Sequence, residues 1–189
     1  MNGKAMVLPK VWLITGIPGA GKSTVARLLA AKESRAVHIE GDRLQECIVS
    51  GGVWPGERPA DEAERQIQLN VLNQCVLARS FAEAGFVPVM DSVVVSKDRL
   101  SEYRRHLGPL PLRFVVLAPG REVALQRDRE RSEKTVAAQW AYLDDVMREG
   151  LHGLGLWVDN GGQTPEETVS LIVQKQRHAT LEPSEKAQL

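Results

Sequence analysis

The sequence predicts an α/β protein, a five-stranded parallel sheet with helices on both faces and a short helical lid. Three observations point there. Short, continuously apolar runs alternate with amphipathic stretches, as strands buried on both faces do. A glycine-rich turn from Gly16 to Gly21 joins the first such run to the first helical pattern. Cap and breaker residues mark each later change of period.

Val11 to Thr15 (VWLIT) is the first strand, and Val25, Leu28 and Leu29 keep helical spacing after it. Ala36 to Ile39 is the second strand; Leu44, Ile48 and Val49 make a short helix past Gly41 and Asp42. Ser50 to Ala60 is too rich in Gly and Pro to be regular. Asp61, with Glu64 three residues on, predicts the N-cap of a long helix whose stripe is Ile67, Val71, Cys75, Ala78 and Ala82, ending near Gly85. Phe86 to Met90 is the third strand, and Pro88, without an amide hydrogen, predicts a bulge or a partly unpaired position there.

Ser96 caps a helix to Leu107, Gly108 and two prolines break it, and Leu112 to Ala118 is the fourth strand. Helices follow at Arg121 to Arg131 and at Thr135 to Leu151. Leu156 to Asp159 is the fifth strand; Thr164, Pro165 and Glu167 supply the cap, first-turn proline and capping-box acid of the last helix. The expected organisation is one domain over residues 1–180, with a lid at about 127–137 and a frayed polar tail at 181–189. Trp12, Trp140 and Trp157 fall in apolar stretches and are expected in the core; His38 reads as a satisfied core or edge histidine.

Lys plus Arg equals Asp plus Glu at 24 each, so bulk charge favours neither nucleic acid nor a membrane surface. Cys47 and Cys75 lie far apart, and the four histidines are scattered, which leaves no metal-ligand spacing and no disulfide pattern. No apolar run approaches the roughly 18 residues of a membrane span. The first ten residues lack a secretory pattern, so the expectation is a cytoplasmic protein with reduced thiols.

Gly16-Ile17-Pro18-Gly19-Ala20-Gly21-Lys22-Ser23 fits G-x-x-x-x-G-K-[ST], after a strand and opening a helix. The glycines let successive amides converge on one phosphate, and the helix start adds its positive dipole end. Lys22 supplies charge for the β and γ phosphates, and the Ser23 hydroxyl, followed by Thr24, is placed to ligate Mg²⁺.

Three carboxylates lie at or just past strand ends: Asp42 comes two residues after the second strand, Asp91 ends the third and Asp159 ends the fifth. Strands two and three belong on the same side of strand one, so Asp42 and Asp91 are the ones expected near a γ-phosphate. Asp42 is assigned as the base toward an acceptor hydroxyl, and Asp91 as the metal-side acid or a hydroxyl contact; the roles can be exchanged, and Asp42 can equally be a helix N-cap. Arg127 and Arg131 share a helical face and are candidates to close over the nucleotide as a lid or to sit on a solvated, ion-paired face, a reading that Arg129 fits better; Lys134 follows at the break between helices. Trp54, Arg58 and Arg65 are candidates for an acceptor pocket, although Trp54 reads more readily as a loop anchor.

With Gly16 to Thr24, Asp42, VMDS (Val89 to Ser92) and the Arg127/Arg131 pair in this order, the chain from about Val11 to Lys175 resembles the small P-loop kinases typified by gluconate kinase, shikimate kinase and chloramphenicol phosphotransferase. The resemblance implies the P-loop NTPase fold of nucleoside-monophosphate-kinase type, with ATP and Mg²⁺ as nucleotide and metal. IEGDRL (Ile39 to Leu44) is similar to the family's strand-two aspartate segment, which in the antibiotic phosphotransferase acts as base; MDSVVVS (Met90 to Ser96) is similar to that enzyme's third-strand segment. VDNGGQTPEETV (Val158 to Val169) resembles the adenine-side loop, which puts Asn160, Gly161 and Gly162 against the base. The pattern departs from shikimate kinase in its arginines and glycines, and matches gluconate kinase only loosely after strand two.

The function expected is transfer of the ATP γ-phosphate to a hydroxyl of a small molecule, an antibiotic or a sugar or sugar acid, by a monomer or homodimer. A nucleotide-dependent switch or NTPase and a polynucleotide end-processing kinase are the alternatives.

Overall fold

The computed structural model describes residues 9–130 and 137–181. Five strands, β1 (Val11–Gly16), β2 (Ala36–Glu40), β3 (Val87–Asp91), β4 (Leu112–Leu117) and β5 (Leu156–Val158), form one parallel sheet in the order β2-β3-β1-β4-β5. All six residues of β1 are buried, because β1 is the middle strand and helices cover the sheet on both faces. β2 and β3 lie together on one side of β1, as the sequence predicts.

The helices are α1 (Lys22–Ala30), α2 (Gly41–Glu46), α3 (Ala60–Glu83), α4 (Lys97–Leu107), α5 (Arg121–Arg129), α6 (Ala137–Trp140), α7 (Leu143–Gly150) and α8 (Pro165–Gln174). α1 packs on β3 and against α8, and α3 packs on β3 and against α4. The Ser96 side chain caps α4 by accepting from the Arg99 amide. At α8, Thr164 and Glu167 form the full capping box with Pro165 behind it.

Several boundaries differ from expectation. α3 starts at Ala60 with Pro59 at the N-cap, so Asp61 sits in the first turn, where its charge favours the helix dipole without a capping bond. The expected stripe of α3 is buried at Val71, Cys75, Ala78 and Ala82, joined by Gln66 and Gln74. Pro88 makes no bulge and is instead the partly unpaired position also expected: the β2–β3 register runs unbroken from Ala36↔Val87 to Glu40↔Asp91, and pairing with β1 begins one residue after the proline, at Val89. The helix expected over Thr135 to Leu151 is broken, within its described part, into α6 and α7 at Ala141–Tyr142.

Trp12 is core, but Trp140 and Trp157 are only half-buried. Trp140 lies over Gly56, where an added Cβ would stand 2.7 Å from the ring. Past α8 a 3-10 turn (Gln176–Ala179) leads Thr180 into an antiparallel bridge with Arg113, and the Leu181 amide donates to the Leu112 carbonyl. The chain is thus fastened at the start of the expected tail; residues 182–189 lie outside the described residues, as does the 131–136 part of the expected lid, with Arg131 and Lys134.

Candidate active site

The loop between β1 and α1 carries the phosphate-binding motif at the carboxyl end of the central strand. Gly19 takes φ 84°, and a Cβ there would lie 2.1 Å from the Ala124 carbonyl oxygen of α5, so conformation and space both demand glycine. The Ala20 amide closes the turn onto the Ile17 carbonyl. The amides of Gly19, Gly21 and Ser23 have no acceptor among the described residues, which leaves three donors beside Lys22 for an anion. The Lys22 ammonium donates to the Ile17 carbonyl at 3.4 Å, folded over the loop it serves.

Asp91, the last residue of β3, pairs in register with Ile14 of β1 and Glu40 of β2, and is 3% exposed. Its two oxygens are divided between two elements. Oδ1 accepts from the Ser23 hydroxyl of α1 at 3.2 Å; Oδ2 lies 2.5 Å from Nε2 of His38 on β2. A P-loop hydroxyl beside a strand-end carboxylate is the hard-oxygen donor set that Mg²⁺ takes, with water completing its shell. The residues present therefore fit Mg²⁺.

Asp42 lies in the first turn of α2, two residues past the end of β2. It is not the N-cap, since Glu40 holds that position; the Asp42 carboxylate is exposed and has no hydrogen bond or ion pair among the described residues. Gly41 before it packs so tightly that an added Cβ would lie 3.1 Å from the Asp91 carbonyl oxygen and 2.9 Å from Gln74 Nε2. The two acid-bearing strand ends are thus in contact through backbone.

A ladder of amide side chains holds this region in place. Asn70 donates to the Gly41 carbonyl at 2.8 Å and accepts from Gln74 at 2.7 Å. Gln66 accepts from the Val53 amide and donates to the Gly51 carbonyl, while Gln45 bridges Gln66 and the Val53 carbonyl. Together they fasten α2 and the Ser50–Ala60 loop to α3. In that loop Trp54 is half-buried and its amide donates to Glu57, whereas Arg58 is exposed and Arg65 pairs with Glu62 on the helix surface.

Asn160, 3% exposed, donates from Nδ2 to the Ala20 carbonyl at 3.0 Å, which ties the loop after β5 to the phosphate loop. Gly161 and Gly162 continue that loop, and the Gly161 amide donates to Asp159. Arg127 donates from Nη2 to the Asn160 carbonyl at 2.8 Å and to the Gly161 carbonyl at 3.3 Å. It thus fastens the loop after β5. The structure gathers Gly16 to Ser23, Asp91 and Asn160 by hydrogen bonds, adds Asp42 through Gly41, and leaves Arg58 apart in solvent. His38 is the satisfied edge-strand histidine expected, but its partner Asp91 was not legible, because nothing local to β2 says what its ring faces.

Residues 11–149 match the family model described as AAA domain. An adenylyl-sulfate kinase from Burkholderia ambifaria is 32% identical over 122 residues, covering 62% of this chain and 62% of that protein. The chain therefore spans less than two thirds of that relative. A sugar kinase structure from Janibacter sp. HTCC2649 superposes with a TM-score of 0.67 at 19% identity, over 90% of this chain and 96% of that one. A gluconokinase structure from Sinorhizobium meliloti 1021 does so with a TM-score of 0.59 at 20% identity, over 86% and 89%. At such identities the likeness is one of fold, and the fold is the kinase-like P-loop fold that the sequence motifs resemble.

Proposed function

We propose that this chain, which belongs to the AAA domain family, is a kinase that moves the γ-phosphate of ATP onto a hydroxyl of a small molecule. The observation that carries the reading is the exposed Asp42 carboxylate, without a partner among the described residues, one strand away from the Ser23–Asp91 pair. A hydrolase or switch needs the phosphate cradle and its metal acid; an unpartnered second carboxylate on the adjoining strand end suits a proton acceptor for an incoming hydroxyl. The balance of 24 basic and 24 acidic residues favours a small acceptor over a polynucleotide.

In this reading the Gly19, Gly21 and Ser23 amides hold the phosphates, and Lys22 swings from the Ile17 carbonyl to the β and γ oxygens. Ser23 and Asp91 would hold Mg²⁺, which would neutralise phosphate charge when bound. Asp42 takes the acceptor's proton as its oxygen bonds to the γ-phosphorus and the bond to the ADP oxygen breaks. Asn160, steadied by Arg127, holds the base-side loop against the cradle. The acceptor is taken to bind beside Asp42, with Trp54 and Arg58 as its candidate contacts. An exposed free thiol at Cys47 suits a reducing, cytoplasmic setting.

ADP release should be measured with Mg²⁺·ATP against a panel of sugars, sugar acids, adenylyl sulfate, nucleosides and antibiotics. At least one acceptor should raise turnover ~10-fold or more above hydrolysis, a modest share of what a positioned acceptor and base supply. Slow hydrolysis indifferent to every acceptor would transfer the reading to a nucleotide switch.

A further inference from the structure

We propose that His38 is a positioning residue: it fixes the Asp91 carboxylate so that Oδ1 faces Ser23, and thereby sets the affinity of the site for a divalent metal–nucleotide complex. The inference rests on the metal–nucleotide half of the functional reading and needs no particular acceptor.

The register makes the contact. His38 pairs with Val89 across β2 and β3, and Asp91 lies two residues past Val89, so His38 and Asp91 are diagonal neighbours on one face of the sheet. That face also receives Ser23 from α1. Nε2 of His38 stands 2.5 Å from Oδ2, and the two side chains are only 13% and 5% exposed. An aspartate carboxylate has a broad, two-fold terminal torsion, and nothing in the residue itself chooses which oxygen meets the metal side. With Oδ2 held by the imidazole on the edge strand, Oδ1 remains directed at Ser23 across the groove between β3 and α1. Outer partners of this kind orient metal-side carboxylates and change metal affinity by about 10- to 100-fold when removed. The neighbouring acid on the same strand does not compete for this place, since Glu40 turns to Arg43 at 3.8 Å. The role requires a donor at the Nε2 position; a side chain of similar reach with an N–H retains it.

The test compares wild type, His38→Gln and His38→Leu, each checked for folding by thermal melting. Mn²⁺ binding to the protein–ATP complex is read from the electron paramagnetic resonance of free Mn²⁺, and metal-free ATP binding from a titration in EDTA. His38→Leu should weaken Mn²⁺ about 10-fold or more and leave metal-free ATP binding within about 2-fold, while His38→Gln stays within about 3-fold of wild type throughout. Mn²⁺ binding by His38→Leu at wild-type strength overturns the proposal, as does a glutamine variant as weak as the leucine one. If the leucine variant does not fold, wild type carries the test: the His38 ring N–H resonance should shift when Mg²⁺ is added to the ATP complex, and an unmoved resonance overturns the proposal. Metal affinity that depends on His38 in a protein that phosphorylates no acceptor supports this inference and removes the kinase reading alone.

Discussion

Asn160 donates to the Ala20 carbonyl across 140 positions of sequence, so the last loop of the sheet is bonded directly to the phosphate loop. The donor is buried, and its carbonyl partner belongs to the loop whose Gly19 and Gly21 amides have no acceptor among the described residues. Asn160→Ala leaves the Ala20 oxygen without that donor and should cost about 1–3 kcal/mol in urea unfolding. ATP affinity should fall with it, because the cradle is no longer braced from the base side. An alanine variant with unchanged stability and unchanged ATP binding would remove Asn160 from the site.

Asp42→Asn gives the opposite signature. The carboxylate is exposed and has no partner among the described residues, so stability should stay within about 0.5 kcal/mol and ATP affinity should not move. Acceptor-dependent turnover should drop by about 10²- to 10⁴-fold, the usual worth of a positioned base. Full transferase activity in this variant hands the role of base to another group, with Asp91 the first to test.

These two residues also mark what was legible in the sequence. The phosphate loop, the strand-end acids and the Thr164–Glu167 capping box are short-range patterns, and each takes its place in the fold as read. The His38–Asp91 contact is a matter of register between β2 and β3, separated by two helices, and no local spacing encodes it. The same limit explains Trp140, whose apolar surroundings suggest core whereas its ring covers a turn 84 positions earlier at Gly56. Pro88 marks a partly unpaired position in the sequence, but which neighbour it leaves unpaired is likewise nonlocal. Buried glutamines on α3 break the apolar stripe for a reason visible only in three dimensions: Gln66 and Gln74 belong to the amide ladder that holds α2 and its loop.

Gly56 and Gly51 offer a controlled pair. Both have positive φ, 84° and 75°, but an added Cβ meets Trp140 at Gly56 and meets nothing within 4 Å at Gly51. Gly51→Ala should cost about 1–2 kcal/mol from backbone strain alone. Gly56→Ala should cost more, and replacing Trp140 with Leu in the same protein should recover the difference in a double-mutant cycle. Equal costs for the two glycines, with no coupling to Trp140, would separate the Ser50–Ala60 loop from α6 in solution.

The two cysteines should behave differently toward reagents and pH. Cys47 is exposed and Cys75 is buried in the core, where loss of hydration pushes its thiol pKa up to about 12 against a small opposing pull from Arg79. A disulfide reagent at pH 8 should therefore titrate one thiol in the native protein and both in denaturant. The linkage has a definite sign. Burial favours the protonated thiol, so its contribution to stability is complete below the ordinary value of 9.0 and is lost as pH rises from there toward about 12. Tyr103, fully buried, shifts in the same direction and adds to the alkaline loss. Urea midpoints measured from pH 8 to 11 should fall for wild type and fall less steeply for Cys75→Val, which keeps the volume and removes the titrating group. Parallel curves for the two proteins would mean that Cys75 ionises in the folded state as easily as in the unfolded chain.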